Sequence, residues 1–398
     1  MIKYLLLLIV AFCFIKCSPS KSTAKKQGDI QFGAERLNEY KELLVGKRVA
    51  LLVNQSSRIG ATHLLDSLLS IGINVEKIFS PEHGFRGNAD AGAHIDNAKD
   101  NKTGLPIISL YGNHKKPTKT DLANIDILVF DIQDVGARFY TYISTMHYAM
   151  EACAENKVQF LVLDRPNPNG HYVDGPVLEV PFKSFVGMHN VPIVHGMTVA
   201  EYAQMINGQY YLKDSLQCDL QYVKCENYDH NSFYQLPVKP SPNLPNALAV
   251  YLYPSLCLFE GTVISVGRGT NKPFQIFGHP DFEGIYDYSF TPESKEGATH
   301  PKLEGTKCFG KDLSVLQKQG IMKTIKLNLT WIVEAYKNSK DKAGFFTPFF
   351  TKLAGTEKLQ KQIEQGMSAK AIKLTWKEDL TQFQQIRKKY LLYKDFKQ

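Results

Sequence analysis

The chain contains no C-x-x-C pair, which removes zinc knuckles and ribbons from consideration. It lacks the H-E-x-x-H signature of zinc peptidases and the G-x-S-x-G elbow of serine hydrolases. No Walker A sequence occurs, so no P-loop is expected to cradle a nucleotide phosphate. The first strand-like run leads into Asn54-Gln55-Ser56-Ser57-Arg58-Ile59-Gly60 rather than G-x-G-x-x-G, which disfavours dinucleotide binding. These absences leave no call for a cofactor or a bound metal. Basic residues are not interleaved with aromatics, so nucleic acid is not an expected partner.

What remains is an ordinary globular composition, 43% hydrophobic and 22% charged, over 398 residues. That length suggests two domains once the start is set aside. Lys3, the apolar residues 4–15 and then Cys17 followed by Ser18-Pro19-Ser20-Lys21-Ser22-Thr23 resemble a bacterial lipoprotein signal. In such a signal the cysteine becomes the lipidated first residue, so export and a membrane anchor on Cys17 are expected. Lys16 departs from the small residue usual there. The five cysteines beyond the signal, Cys153, Cys218, Cys225, Cys257 and Cys308, are scattered and read as buried free thiols. The basic excess is confined to the end of the chain. Residues 301–398 hold 20 Lys and Arg against 9 Asp and Glu, which suits either a solvated face or an anionic surface.

Runs at residues 49–53, 75–79, 107–111, 127–130 and 160–163 read as buried parallel strands, with an edge strand at 220–223. Helical patterns lie at 34–44, 62–70, 118–123, 139–154 and 198–207, the last opened by a Thr198/Glu201 capping box. This alternation predicts a Rossmann-like, doubly wound, mostly parallel α/β sheet. Lys239-Pro240-Ser241-Pro242-Asn243-Leu244-Pro245 suits a junction to a second, smaller α+β C-terminal domain. The expected division is a signal at 1–17, a polar tether at 18–34, a Rossmann-like domain at 35–245 and an auxiliary domain at 246–398. Within the last, strands are predicted at 262–266 and 324–329, and helices at 330–338, 357–365, from Ser368, and 380–390.

Most of the predicted parallel strands end in a polar cluster, and open α/β sheets bind ligands at that edge. In Ser80-Pro81-Glu82-His83-Gly84-Phe85-Arg86-Gly87, Glu82 is a carboxyl that a closed cleft could tune as a general acid. In Asp131-Ile132-Gln133-Asp134-Val135-Gly136-Ala137-Arg138-Phe139-Tyr140-Thr141-Tyr142, acids, an amide, a guanidinium and tyrosines crowd one strand-to-helix turn. That mixture suits a hydroxyl- and amide-bearing ligand, although Asp131 or Asp134 could equally cap the next helix. Asp164-Arg165-Pro166-Asn167 aims an amide from a rigid loop, or pairs Asp164 with Arg165. Asn54, His195, Glu260 and Arg268 complete the set of expected binding residues. Two carboxyls, Glu82 with Asp131 or Asp134, would satisfy a glycosidase. A metal-dependent hydrolase using His83, Asp131, Asp164 and His195, and a non-catalytic cell-wall-binding lipoprotein, are the competing readings.

These clusters, with Asp174-Gly175-Pro176, His195-Gly196-Met197-Thr198, Phe259-Glu260-Gly261-Thr262 and Gly267-Arg268-Gly269-Thr270, resemble a bacterial family once filed as a domain of unknown function. It is the family of exo-acting β-N-acetylmuramidases of peptidoglycan. The resemblance covers nearly the whole chain beyond the signal. It implies a cleft between a Rossmann-like domain and an auxiliary domain. It also implies release of terminal N-acetylmuramic acid from non-reducing ends, with Glu82 matching the family's catalytic glutamate. The partner is then a peptidoglycan-derived muramyl saccharide, whose lactyl carboxylate calls for a cation. Arg138, Arg165, His83 and Arg268 are the residues offered for that contact.

Overall fold

Apolar runs bounded by polar clusters fold as strands buried on both faces. The computed structural model describes residues 28–85, 98–318 and 321–397. Cys17, the signal, most of the tether and Arg86 lie outside these residues. The strands are β1 (Val49–Val53), β2 (Val75–Ser80), β3 (Ala98–Lys99), β4 (Pro106–Ser109), β5 (Ile127–Asp131), β6 (Gln159–Leu163) and β7 (Leu220–Val223). They form one sheet in the order β3-β4-β2-β1-β5-β6-β7. All neighbours are parallel except β3 on β4. Helices α1 (Leu64–Ser70), α2 (Tyr142–Asn156) and α3 (Val199–Gly208) lie in the β1–β2, β5–β6 and β6–β7 connections.

The chain leaves β1 toward β2 on one side and returns to β5 on the other. β1 and β5 run in register from Val49 opposite Ile127 to Val53 opposite Asp131. The crevice at their carboxyl ends is therefore the topological switch point, where ligands bind in open α/β sheets.

Alternate residues of each strand face opposite layers. Val49, Leu51, Val53, Ile127 and Val129 pack into one apolar cluster, with α1. Ala50, Leu52, Leu128 and Phe130 pack into the other, which is much larger. That second cluster continues without a break through α4 (Ala247–Leu256) into the C-terminal part, to Phe277, Ile332, Leu353 and Phe383. One sheet face is thus covered by the end of the chain. The smaller C-terminal part has an antiparallel sheet of β8 (Ile276–His279), β9 (Tyr288–Phe290) and β10 (Cys308–Asp312) in the order β8-β10-β9. Its helices are α5 (Thr330–Asn338), α6 (Phe349–Ala354), α7 (Lys358–Glu364), α8 (Ala369–Thr375) and α9 (Lys377–Arg387).

Four expected elements differ, each because side chains take the backbone partners a regular element needs. Residues 34–44 form two 3-10 turns and a short helix, Lys41–Leu44. There the Tyr40 hydroxyl donates to the Ala34 carbonyl, and the Phe32 N–H donates to Glu35. Residues 118–123 make only a turn, with Thr118 Oγ1 accepting from the Asp121 N–H. Residues 262–266 form no strand, because the Thr262 and Ile264 carbonyls accept from the Lys302 ammonium. Residues 324–329 form none either. Leu327 gives its carbonyl to Lys373, and the Asn328 N–H donates to the Ser255 hydroxyl. Helix α4 and the antiparallel sheet were missed. All ten residues of α4 are buried, so it has no polar face to betray a helical period.

Candidate active site

The polar residues after β2 and β5 open into a cleft of about 330 Å³. Glu82, Tyr111, Tyr140, Thr141 and Tyr142 line one wall; Tyr253, Glu260, Arg268 and Phe349 line the other. Glu82 is positioned by a tight turn. His83 and Gly84 are both left-handed, at φ 68° and 75°, and the Gly84 N–H closes on the Pro81 carbonyl at 3.0 Å. Few non-glycine residues hold the conformation of His83, and such outliers gather at functional sites. The Thr141 hydroxyl donates to Glu82 Oε2 at 2.6 Å. Burial, with the nearby Glu82 carboxylate, pushes the Tyr111 phenol up to about 12. Burial and the Glu82 charge likewise raise Tyr142.

On the facing wall Arg268 Nε donates to Glu260 Oε2 at 3.0 Å. Behind this pair, the Lys302 ammonium donates to the carbonyls of Phe259, Glu260, Thr262 and Ile264. Burial lowers the Lys302 pKa. This interior cation fixes the turn that carries Glu260.

Several expected site residues are brought elsewhere. Asp131 is fully buried and takes a two-pronged contact from Arg165, at 2.6 and 2.9 Å, so both are spent on a structural ion pair. Arg138 is fully buried and donates to four carbonyls, those of Pro176, Val191, Leu353 and Ala354. It joins the sheet to α6 and does not face the cleft as a carboxylate receptor. Asp134 Oδ2 accepts from the Gly136 N–H at 2.6 Å and lies 3.9 Å from His195. Burial pushes Asp134 up to about 7 and His195 down to about 3. Neither acid caps α2, whose first residue is Tyr142 and whose N-cap is Thr141. Asp164 accepts from the Ala200 N–H and the Tyr393 hydroxyl, not from Arg165.

Gln133 donates to the carbonyls of Asp134 and Pro166, and Asn167 to that of Met197. Asn54 is buried, and its side-chain oxygen accepts from the Ser56 N–H. Tyr140 and Tyr142 line the cleft with their rings while both hydroxyls contact the Pro240 carbonyl. Of the four residues a metal-dependent reading enlists, Asp131 and Asp164 are taken up in these separate contacts, and His195 accepts from the Met197 N–H. Among the described residues no three His, Cys, Asp or Glu side chains are grouped as ligands.

The N-terminal model of the family described as "Exo-beta-N-acetylmuramidase NamZ" matches residues 49–248, and the C-terminal model matches residues 251–393. The chain belongs to this family. A relative from Bacillus subtilis (strain 168), named peptidoglycan beta-N-acetylmuramidase NamZ, is 40% identical, with 94% of each chain covered. Two solved structures of DUF1343 family proteins from Bacteroides fragilis are also similar. One is 49% identical with a TM-score of 0.86, covering 92% of this chain and all of that one. The other is 30% identical with a TM-score of 0.75, covering 92% and 99%.

In this NamZ-family chain the acidic side chains lining the cleft, among the described residues, are Glu82 and Glu260. The second carboxyl at the cleft is thus Glu260, which was expected only to bind, while Asp131 and Asp134 lie beneath. Sequence reasoning passed over Tyr111, Thr141, Phe185, Tyr253 and Phe349. Tyr111 and Thr141 sat inside motifs already marked, at a strand end and next to a helix start. Phe185 and Phe349 carry no local pattern that separates them from core aromatics.

Proposed function

We propose that this cleft is the catalytic site of an exo-acting glycosidase, and that Glu82 is its general acid. The reaction releases a terminal β-N-acetylmuramic acid from the non-reducing end of a peptidoglycan fragment. One observation carries the assignment. Of the two carboxyls lining the cleft, Glu260 is bound to a guanidinium, whereas Glu82 takes a hydrogen bond from the neutral Thr141 hydroxyl, with the Tyr111 phenol nearby. Family membership supports the substrate. The Glu82 proton passes to the glycosidic oxygen as its bond to the anomeric carbon breaks; the hydroxyl of a water then adds to that carbon, and the water's remaining proton restores Glu82. The carboxylate left behind accepts the Thr141 hydrogen bond. Rings of Tyr140, Tyr142, Tyr253 and Phe349 supply the apolar faces a pyranose packs on.

The test is hydrolysis of a chromogenic β-N-acetylmuramide by wild type and Glu82→Gln. General acid catalysis contributes about 10²–10⁴-fold, so E82Q should lose that much in kcat while still binding muramyl ligand. Unchanged turnover by E82Q sinks the acid assignment. A wild type that binds cell-wall fragments but never turns over would leave a binding lipoprotein instead.

We also propose that the protein is exported and anchored to a membrane through lipidated Cys17. Lys3, the apolar residues 4–15 and the polar stretch after Cys17 support this. Detergent phase partition of wild type and Cys17→Ser tests it.

A further inference from the structure

Arg268 is held on several sides. It lies between Gly267 and Gly269, both left-handed at φ 76° and 77°. A Cβ at Gly267 would stand 2.4 Å from the Ile276 side chain, and one at Gly269 would stand 2.4 Å from the Glu293 carbonyl oxygen. The guanidinium carbon sits 4.9 Å from the centre of the Phe274 ring, and Phe274 itself is left-handed at φ 53°. Glu260 takes Nε, and the turn bearing Glu260 is tied down by Lys302. Glycine, a strained aromatic and an interior ammonium are thus combined to fix one arginine. Conformations of this kind persist only where the surroundings over-determine them.

Glu260 occupies Nε alone. Among the described residues the terminal nitrogens, Nη1 and Nη2, have no hydrogen-bond partner. Arg268 is also the sole guanidinium or ammonium among the described residues lining the cleft, where Glu82 and Glu260 are the acids. A ligand carboxylate entering beside two acids needs a cation facing it. The planar fork of arginine matches a carboxylate with two parallel bonds. The other arginines within reach of the switch point are spent, Arg138 on four carbonyls and Arg165 on Asp131.

We propose that Nη1 and Nη2 of Arg268 receive the lactyl carboxylate of the terminal muramyl residue, making Arg268 the residue that distinguishes muramyl from glucosaminyl ends. Glu260 acts through Arg268 as a positioning residue that aims the fork. A sugar without the carboxylate leaves Nη1 and Nη2 desolvated and without an acceptor, which is the strong form of rejection. This assignment rests on the muramidase reading given above.

The experiment compares an aryl β-N-acetylmuramide with the same compound as its lactyl methyl ester, using wild type, Arg268→Gln and Arg268→Lys. Wild type should favour the free acid. R268Q should lose on the order of 10- to 100-fold in kcat/KM on the acid, chiefly through KM, the range of a charge-assisted contact. Its kcat/KM on the ester should change less than about threefold on the same reasoning, since no charge pair is lost. Turnover of the ester also reports that the variant is folded. R268K keeps the charge without the fork and should retain part of the preference. Equal losses on acid and ester overturn the proposal, as does a wild type indifferent to esterification. No turnover of either compound by wild type overturns the muramidase reading itself.

Discussion

Replacing Arg138 with methionine tests the account of how the C-terminal part is held to the sheet. Nη1 donates to Pro176 and Val191 at 2.8 and 2.7 Å, and Nη2 to Leu353 and Ala354 at 2.8 and 2.7 Å. Methionine keeps much of the stem but offers no donor. Each buried carbonyl left unsatisfied costs about 1–3 kcal/mol. Water entering the vacated space can serve some of the four, so two orphans, or about 2–6 kcal/mol, is the working figure. The arginine also carries a cost of its own, since burial depresses its pKa to about 9. Removing that charge returns part of the loss, leaving about 1–4 kcal/mol. At roughly 1–2 °C per kcal/mol for a chain of this length, the melting temperature should fall by about 1–8 °C. Scanning calorimetry reads the shift, and the acid-to-ester ratio of kcat/KM reads specificity, which should stay at the wild-type value. A variant that melts with wild type yet loses its preference for the acid would refute the reasoning. Arg138 would then be the carboxylate receptor, as the sequence offered.

Burial raises the Asp134 carboxyl to about 7, opposed by the N–H groups of Gly136 and Val135. A carboxyl raised in the folded state contributes stability that is complete below its unfolded value near 3.8 and is lost as pH climbs through about 7. Asp134→Asn keeps an acceptor for Gly136 and cannot ionise, so its melting temperature should fall less than that of wild type between about pH 6.5 and 8. Lowered His195 works in the opposite sense below its ordinary value near 6.5, outside that window. Parallel melting curves would show that Asp134 does not titrate there. For the anchor, wild type should enter the detergent phase of a Triton X-114 partition and Cys17→Ser the aqueous phase; both in the aqueous phase rejects lipidation.

The parallel strands were legible because a strand buried on both faces must be apolar along its length. Residues 49–53 and 127–130, bounded by polar clusters, carry that signature alone. The capping box at Thr198 and Glu201 was equally plain, being a contact between near neighbours. Helix α4 was not legible, since burial on all sides erases the period that marks a helix. The strand expected at 262–266 failed because Lys302, some forty residues on, takes its carbonyls.

Local chemistry in the chain settled which residue types stand at the carboxyl edge of the sheet, and offered Glu82, Asp131 and Asp134 together as candidate acids. Only the tertiary structure decided which of those groups face the cleft. Asp131 and Arg165 stand at the ends of adjacent strands and neutralise each other, and Arg138 is drawn into a nest of carbonyls on distant segments. Glu260 and Arg268 arrive from the far part of the chain to form the opposite wall. Burial sets a high cost on an unpaired charge, so each charged side chain goes to whichever partner the folded backbone brings near, and sequence distance carries no record of that choice.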